Sequence, residues 1–334
     1  MASGSASRRL DVYGLTIAVG GDWPEAVERV RRDWAWFETS PADAAEIDVS
    51  ILRRPPDLRA FGPLEASFVT PRNVVYHDGP RTIVDYFGRA VTCVGPNGRA
   101  RVEGEDEDLV REAVWQFLVS RIGAHVESLG RPRLHALGLA GAHGGVAILL
   151  GSGGGKTQLA LQALADERVR LLSDDMPLID RAGFLHPFPL GISVNVTDAA
   201  KLAGADALRY ERMEFHPRVL LPVESFAHRI ERWPQPLRHL VVAQRSLRSD
   251  AELRPLPRWA ALGPLVRQGV VGIDLYQGVE FLLRRGMRDA VSNLGVARTR
   301  AASCAAALRG ATVWRLVLGL DDERNWAALG PLLV

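Results

Sequence analysis

The sequence predicts a two-domain α/β protein. A small β-rich α+β domain over residues 10–104 is expected to precede a larger α/β domain over 105–334, with residues 1–9 a disordered N-terminus. Three observations carry this. The 334-residue length suits about two domains of roughly 100–200 residues each. Residues 47–103 hold six short β-like runs separated by turn signals such as Asp78-Gly79-Pro80 and Pro96-Asn97-Gly98. An apolar run, Val146 to Leu150, leads through a glycine-rich turn into a helical stretch, Gln158 to Leu164, the alternation that marks an α/β layer.

The elements follow in chain order. Leu10 to Val19 alternates as a strand, and Pro24 to Phe37 repeats apolar residues at Ala26, Val27, Val30, Trp34 and Phe37, the spacing of a helix. The β-like runs are Ile47–Leu52, Ala66–Val69, Asn73–His77, Thr82–Phe87, Ala90–Val94 and Ala100–Glu103, read together as an antiparallel sheet. An acidic turn, Glu105 to Asp108, opens a helix over Leu109–Leu129, since negative charge suits a helix N-terminus. Strands are expected at Arg133–Gly141, Val146–Leu150 and Val169–Leu172, with a hairpin over Arg181-Ala182-Gly183. Further on come a strand at Leu237–Ala243, helices at Glu280–Leu294 and Val296–Leu308, a strand at Val313–Leu318 and a closing helix at Glu323–Leu333.

Composition excludes several classes. At 47% hydrophobic and 24% charged residues the chain reads as an ordinary soluble globular protein. A net charge of +2 gives no electrostatic reason to expect a nucleic-acid or membrane partner. Cys93 and Cys304 are far apart, which argues against a zinc site or a disulfide framework and fits a reduced, cytoplasmic setting. The N-terminus lacks the apolar stretch of a signal peptide. Only two lysines occur, Lys156 and Lys201, so a lysine ending a glycine loop stands out.

That loop is Gly151, Ser152, Gly153, Gly154, Gly155, Lys156, Thr157. Glycines allow successive backbone N–H groups to converge on a phosphate, and a following helix adds its positive end. Lys156 would reach the β- and γ-phosphates of ATP, and the Thr157 hydroxyl would ligate Mg²⁺. The Walker A pattern has glycine at the first position, where Leu150 stands here. Ser173-Asp174-Asp175 closes the next strand, where functional residues of α/β folds gather. One carboxylate there can hold Mg²⁺ and the other can take a proton from an attacking hydroxyl. His135, on the segment before the loop strand, can hold a phosphate. His186, Arg53-Arg54, Arg284-Arg285 and the tryptophans read as structural or solvated residues, and Tyr210–Arg218 as a candidate acceptor- or metal-binding segment.

These residues resemble the catalytic domain of the HPr kinase/phosphorylase family. His135 lies fifteen residues before Leu150, with Ala136 in place of the family's glycine, and Ser173-Asp174-Asp175 stands where the family has Ala-Asp-Asp. The resemblance covers about forty residues well and extends loosely over 105–334. It implies a P-loop kinase domain related to phosphoenolpyruvate carboxykinase. It also implies Asp175 as base, Asp174 assisting with metal or substrate, Lys156 and His135 on phosphates, and Thr157 on Mg²⁺. The roles of Asp174 and Asp175 are open to exchange. The family's later glutamate ligand and arginine have no clear copy; Glu211, Glu214, Arg218 and Arg238 are candidates. The family's bacterial members are hexamers with a different N-terminal domain, which residues 10–104 do not resemble, so the resemblance leaves a homo-oligomer open without predicting it.

The β-rich N-terminal layout is similar to HPr-kinase-like enzymes that phosphorylate a serine of lasso peptide precursors. The leading expectation is therefore an ATP-dependent kinase acting on a serine-type hydroxyl of a peptide or protein. A kinase of a small hydroxyl compound or of an HPr-like protein, and a non-catalytic nucleotide-binding regulator, are the alternatives.

Overall fold

In a computed structural model the described residues are 7–40, 44–96, 98–199, 208–212, 215–271 and 286–334. The protein is mixed α/β with several sheets, one curled as a half-barrel. The chain divides into two compact units. The first comprises Met1–Ile122, Gly191–Ser225 and Gly278–Arg284; the second comprises Gly123–Leu190, Phe226–Gln277 and Arg285–Val334. The 104/105 boundary read from the sequence falls inside the first of these stretches.

In the first unit, β1 (Arg8–Val12) and β2 (Leu15–Gly21) form a hairpin. The sequence suggested one strand over Leu10–Val19. Two residues with left-handed backbone, Tyr13 (φ 57°) and Gly14 (φ 91°), turn the chain there, as a tight two-residue hairpin requires. The Asp11 carboxylate accepts the Gly14 N–H at 2.8 Å. No Asn-Gly pair announces this turn, and apolar alternation continues across it. The strand also begins at Arg8, inside the stretch expected to be disordered; residues 1–6 lie outside the described residues.

Helix α1 (Pro24–Trp34) opens with a proline and buries Ala26, Val27, Val30 and Trp34, the face its spacing foretold. It crosses over to β3 (Ile47–Arg53), which lies parallel to β2. After β4 (Ala66–Val69), β5 (Val74–Asp78), β6 (Arg81–Asp85), β7 (Ala90–Val94) and β8 (Arg99–Gly104), the eight-stranded sheet runs β1-β2-β3-β8-β7-β6-β5-β4. β8 is parallel to β3. The sheet is thus mixed where an antiparallel one was expected. A helix between β2 and β3 supplies the long crossover that parallel neighbours need.

Helix α2 (Glu107–Ser128) follows, with the Asp106 carboxylate accepting the Leu109 N–H at 3.1 Å. Its Arg111 makes two hydrogen bonds, at 2.7 and 2.5 Å, to the buried Asp33 of α1.

The second unit starts with β9 (Leu137–Gly141), β10 (Gly144–Leu149), helix α3 (Lys156–Ala165), β11 (Arg170–Ser173), β12 (Leu178–Ile179) and β13 (Phe184–His186). The chain then returns to the first unit for β14 (Ile192–Asn195), β15 (Leu208–Arg212) and β16 (Phe215–Leu221), an antiparallel sheet in the order β14-β16-β15. These strands were not foreseen, because residues 192–221 lack a sustained apolar alternation. The Tyr210 ring of β15 lies under the Arg111 guanidinium at 4.3 Å.

Back in the second unit come β17 (Gln235–Arg245), β18 (Glu252–Leu256), α4 (Gly286–Gly310), β19 (Thr312–Leu318) and α5 (Asp322–Leu333). α4 is continuous where two helices were expected; Gly295 stands in open space within it, and a helix tolerates such a glycine for about 1 kcal/mol. Residues 280–285 of the expected first helix lie outside the described residues. The sheet order is β11-β9-β10-β17-β13-β12, with β19 also on β17 and β18 on β19. Its core gathers Leu134, Ala147, Leu149, Leu172, Leu240 and Val313 with the small residues Ala307, in the last turn of α4, and Ala311, just past it.

No helix of the described residues is long and apolar enough to cross a membrane. Cys93 and Cys304 are both free thiols, and burial pushes each of them up from the ordinary thiol value.

Candidate active site

Strand directions bring the singled-out residues to one end of the second unit's sheet. β9 is antiparallel to β10, and β11 is antiparallel to β9. β10 and β11 therefore run the same way. The glycine loop leaves the end of β10, Asp174 and Asp175 follow the end of β11, and His135 precedes β9. His135 was expected on the strand; it sits in the bend just before it. Backbone bonds fix that bend against the Asp segment. Ala136 donates to the Asp175 carbonyl at 3.2 Å, Leu134 to the Pro177 carbonyl at 2.9 Å, and His135 to the Gln268 carbonyl at 3.1 Å. The Ser173 hydroxyl accepts the Met176 N–H at 3.0 Å and closes the turn after β11.

Three side chains converge there. Lys156 Nζ donates to the Leu150 carbonyl at 2.7 Å and lies 2.7 Å from His135 Nε2 and 3.2 Å from Asp175 Oδ1. His135 Nε2 is 3.1 Å from the same carboxylate oxygen. An ammonium has three protons and no lone pair, so Lys156 can donate to the Leu150 carbonyl and to the Asp175 carboxylate, with His135 Nε2 beside both. Lys156 and His135 are buried, whereas Asp175 keeps 44% of its side chain exposed, which leaves it reachable by an incoming group.

The two carboxyls differ. For Asp175, burial pushes the carboxyl up, but the contacts with His135 and the Lys156 charge together outweigh it, and it stays below the usual range. For Asp174, burial and then the neighbouring Asp175 charge raise it to about 7. Adjacent titratable groups pushed apart in this way suit an acid–base site. A carboxyl raised in the folded state adds stability at low pH, and this contribution is lost as pH rises through about 7. Asp174→Asn is therefore expected to raise the thermal midpoint relative to the parent at pH 8 and to flatten its fall between pH 5 and 8. A parent and variant with parallel pH profiles would remove this assignment.

The loop's local chemistry explains its departure from the Walker A pattern. Leu150 has no left-handed backbone, so nothing at that position demands glycine. Its side chain is buried directly beneath Gly154, where an added Cβ would come within 2.6 Å of Leu150 Cγ. Gly153 (φ 73°) and Gly155 (φ 113°) do require the left-handed region. The space over Gly151 and Gly153 is open. The same Cβ would come within 2.9 Å of the Gly151 carbonyl, so Gly154→Ala should impair the loop through both contacts, and Leu150→Ala in the same chain should restore only the part due to Leu150. Thermal melts and nucleotide titration of the single and double variants measure this; strict additivity would exclude the coupling.

The donor set fits an anion: a helix N-terminus at α3, a glycine turn with open space above it, and the Lys156 ammonium. Thr157 and Asp174 offer oxygen ligands at the same end. Among the described residues no three His, Cys, Asp or Glu side chains cluster as a metal cage. A Mg²⁺ here would take its remaining ligands from phosphate and water, as that ion usually does.

Other candidates fall elsewhere. Arg238 lies against Gly144 at the opposite end of β10. Arg218 belongs to the first unit and is bonded to Ser193 and Asn195. Glu211 lies on β15 in that unit, and Glu214 is outside the described residues, as is Lys201. His186 is paired with Asp180 at 2.9 Å and supports the 178–186 hairpin. Sequence reading missed Arg245, whose guanidinium reaches Gly155. The available signal was its place just past the predicted strand Leu237–Ala243, at a strand C-terminus.

No protein-family model and no curated protein sequence matches this chain.

Proposed function

We propose that the chain is an ATP-dependent kinase that transfers the γ-phosphoryl group to a serine-type hydroxyl. In this reading residues 105–334 are a P-loop kinase domain of the HPr kinase and phosphoenolpyruvate carboxykinase type, working in the cytoplasm. The observation that carries it is the convergence of Lys156, His135 and the half-exposed Asp175 at the mouth of the glycine loop.

The loop amides and Lys156 would hold the polyphosphate, and Asp175, kept ionised, would accept the proton of the attacking hydroxyl. The hydroxyl oxygen bonds to the γ-phosphorus as the bond to the β-phosphate bridging oxygen breaks, leaving ADP and a phosphate ester. Bound Mg²⁺ would neutralise charge developing on the phosphates. His135, buried behind Lys156, holds that ammonium in place. The acceptor is a serine on a peptide or protein, of the kind found in lasso peptide precursors, and that reading rests on the similar layout of the N-terminal domain.

Incubation with γ-labelled ATP and serine-bearing peptides encoded by neighbouring genes, followed by mass mapping of the label, tests this. Label on a peptide serine is the expected result. Label on free serine or another small hydroxyl compound, or on an HPr-like protein, would move the acceptor. Tight Mg-ATP binding with no transfer to any hydroxyl would favour a nucleotide-binding regulator.

A further inference from the structure

The last residue of β17 occupies a position that the reading above leaves without a role. β17 is parallel to β10, with Val242 opposite Leu149, the last residue of β10. β17 then runs three residues beyond that register, held by β19, to Arg245 opposite Leu318. The extension brings the Arg245 side chain over the loop: an alkyl group on Gly155 would come within 3.0 Å of Arg245 Nη1 and 4.0 Å of Leu318 Cδ1. Gly155, with φ 113°, is the glycine that hands the chain to α3 and Lys156.

Arg245 is uncommitted, unlike several other arginines of this unit. Arg168 is paired with Asp166, Arg300 with Glu127, and Arg229 is bonded to the Val169 and Ala163 carbonyls. Among the described residues Arg245 has no ion pair or side-chain hydrogen bond, and it is exposed. An uncommitted guanidinium on a rigid strand end, against a glycine whose missing side chain leaves room for it, faces the place where the loop would hold a polyphosphate. Its planar fork of donors matches phosphate oxygens better than an ammonium does.

We infer that Arg245 is a phosphate-binding residue, closing the loop from the β17 side and donating to a non-bridging oxygen of the bound polyphosphate. The inference rests on the glycine loop binding nucleotide, but not on the identity of the acceptor. Lys156 would approach from the β9–β11 side, where His135 and Asp175 stand, and Arg245 from the β17–β19 side, so the phosphates lie between two cations from opposite flanks.

Calorimetric titration of the full chain with Mg-ATP and with adenosine, comparing the parent with Arg245→Ala, Arg245→Lys and Arg245→Glu, tests this. Thermal melts run alongside, and the exposed position should leave the midpoints unchanged. Arg245→Ala is expected to weaken Mg-ATP by about ten- to hundredfold, the range of one hydrogen bond to a charged group. Arg245→Lys should recover part of this, Arg245→Glu should weaken binding further, and adenosine should not distinguish the variants. A parent that binds Mg-ATP while Arg245→Ala binds it within about twofold overturns the role of Arg245 and leaves the loop reading intact, the range for a lost charged contact being far larger. A folded parent that binds no Mg-ATP overturns both.

Discussion

Asp175→Asn is expected to lower phosphoryl transfer by about 10²–10⁴-fold, the usual contribution of a positioned general base, while Mg-ATP affinity stays within a few-fold. The substitution keeps the shape and one oxygen acceptor, so the contact with Lys156 at 3.2 Å can persist. What it removes is the ability to take a proton. Asp174 cannot easily replace it. Its carboxyl, raised to about 7 by burial and by the Asp175 charge, is partly protonated at neutral pH. Loss of its charged neighbour in the variant would itself change Asp174, so pH–rate profiles of both chains separate the two carboxyls. Single-turnover transfer at saturating ATP is the measurement, and an unchanged rate would remove Asp175 as the base.

Lys156→Ala is expected to abolish detectable transfer and to weaken Mg-ATP by more than about a hundredfold, since each charge-assisted hydrogen bond contributes about 1.5–3 kcal/mol and an ammonium under two phosphates makes more than one. The effect spreads beyond the phosphates. The same ammonium lowers both carboxyls electrostatically; without it Asp174 rises further and the pair repels more strongly. The Leu150 carbonyl also loses its donor, and His135 its neighbour. Lys156→Arg tests whether charge alone suffices, because a guanidinium cannot occupy the buried corner between Leu150, His135 and Asp175 without displacing one of them. Full transfer by the alanine variant would sink the loop as the nucleotide site.

Much of this arrangement was legible in the chain. Local patterns located β3, β7, α2, the loop and α3, because apolar periodicity and glycine punctuation are short-range signals. They also placed His135, Lys156 and Asp175 as candidates, and the geometry brings those three together. What they could not give was strand direction and order. Nothing near Leu137 says that β9 runs opposite to β10, although that reversal is what puts His135 beside the loop. The parallel pairing of β3 with β8 joins residues about fifty apart and left no local trace. Arg245 stayed hidden because its relation to Gly155 arises only when β17 takes the place beside β10. The β14–β16 sheet was missed because the alternation in β14, Ile192-Ser193-Val194-Asn195, is only four residues long, and its polar side chains find their partners, Tyr210 and Arg218, on distant strands.

The interleaving of the two units along the chain bears on how the protein can be dissected. A fragment starting at residue 105 would carry the loop and every residue of the candidate site, and on sequence grounds it is the natural piece to produce. It would also carry Arg111 without Asp33, its bidentate partner on α1, and Glu224 without Arg31. Stranding one member of a buried ion pair costs about 3–5 kcal/mol, a large part of a domain's net stability. The residues that read as a separable module thus depend on α1 for a buried partner, and biochemistry on this protein belongs with the whole chain.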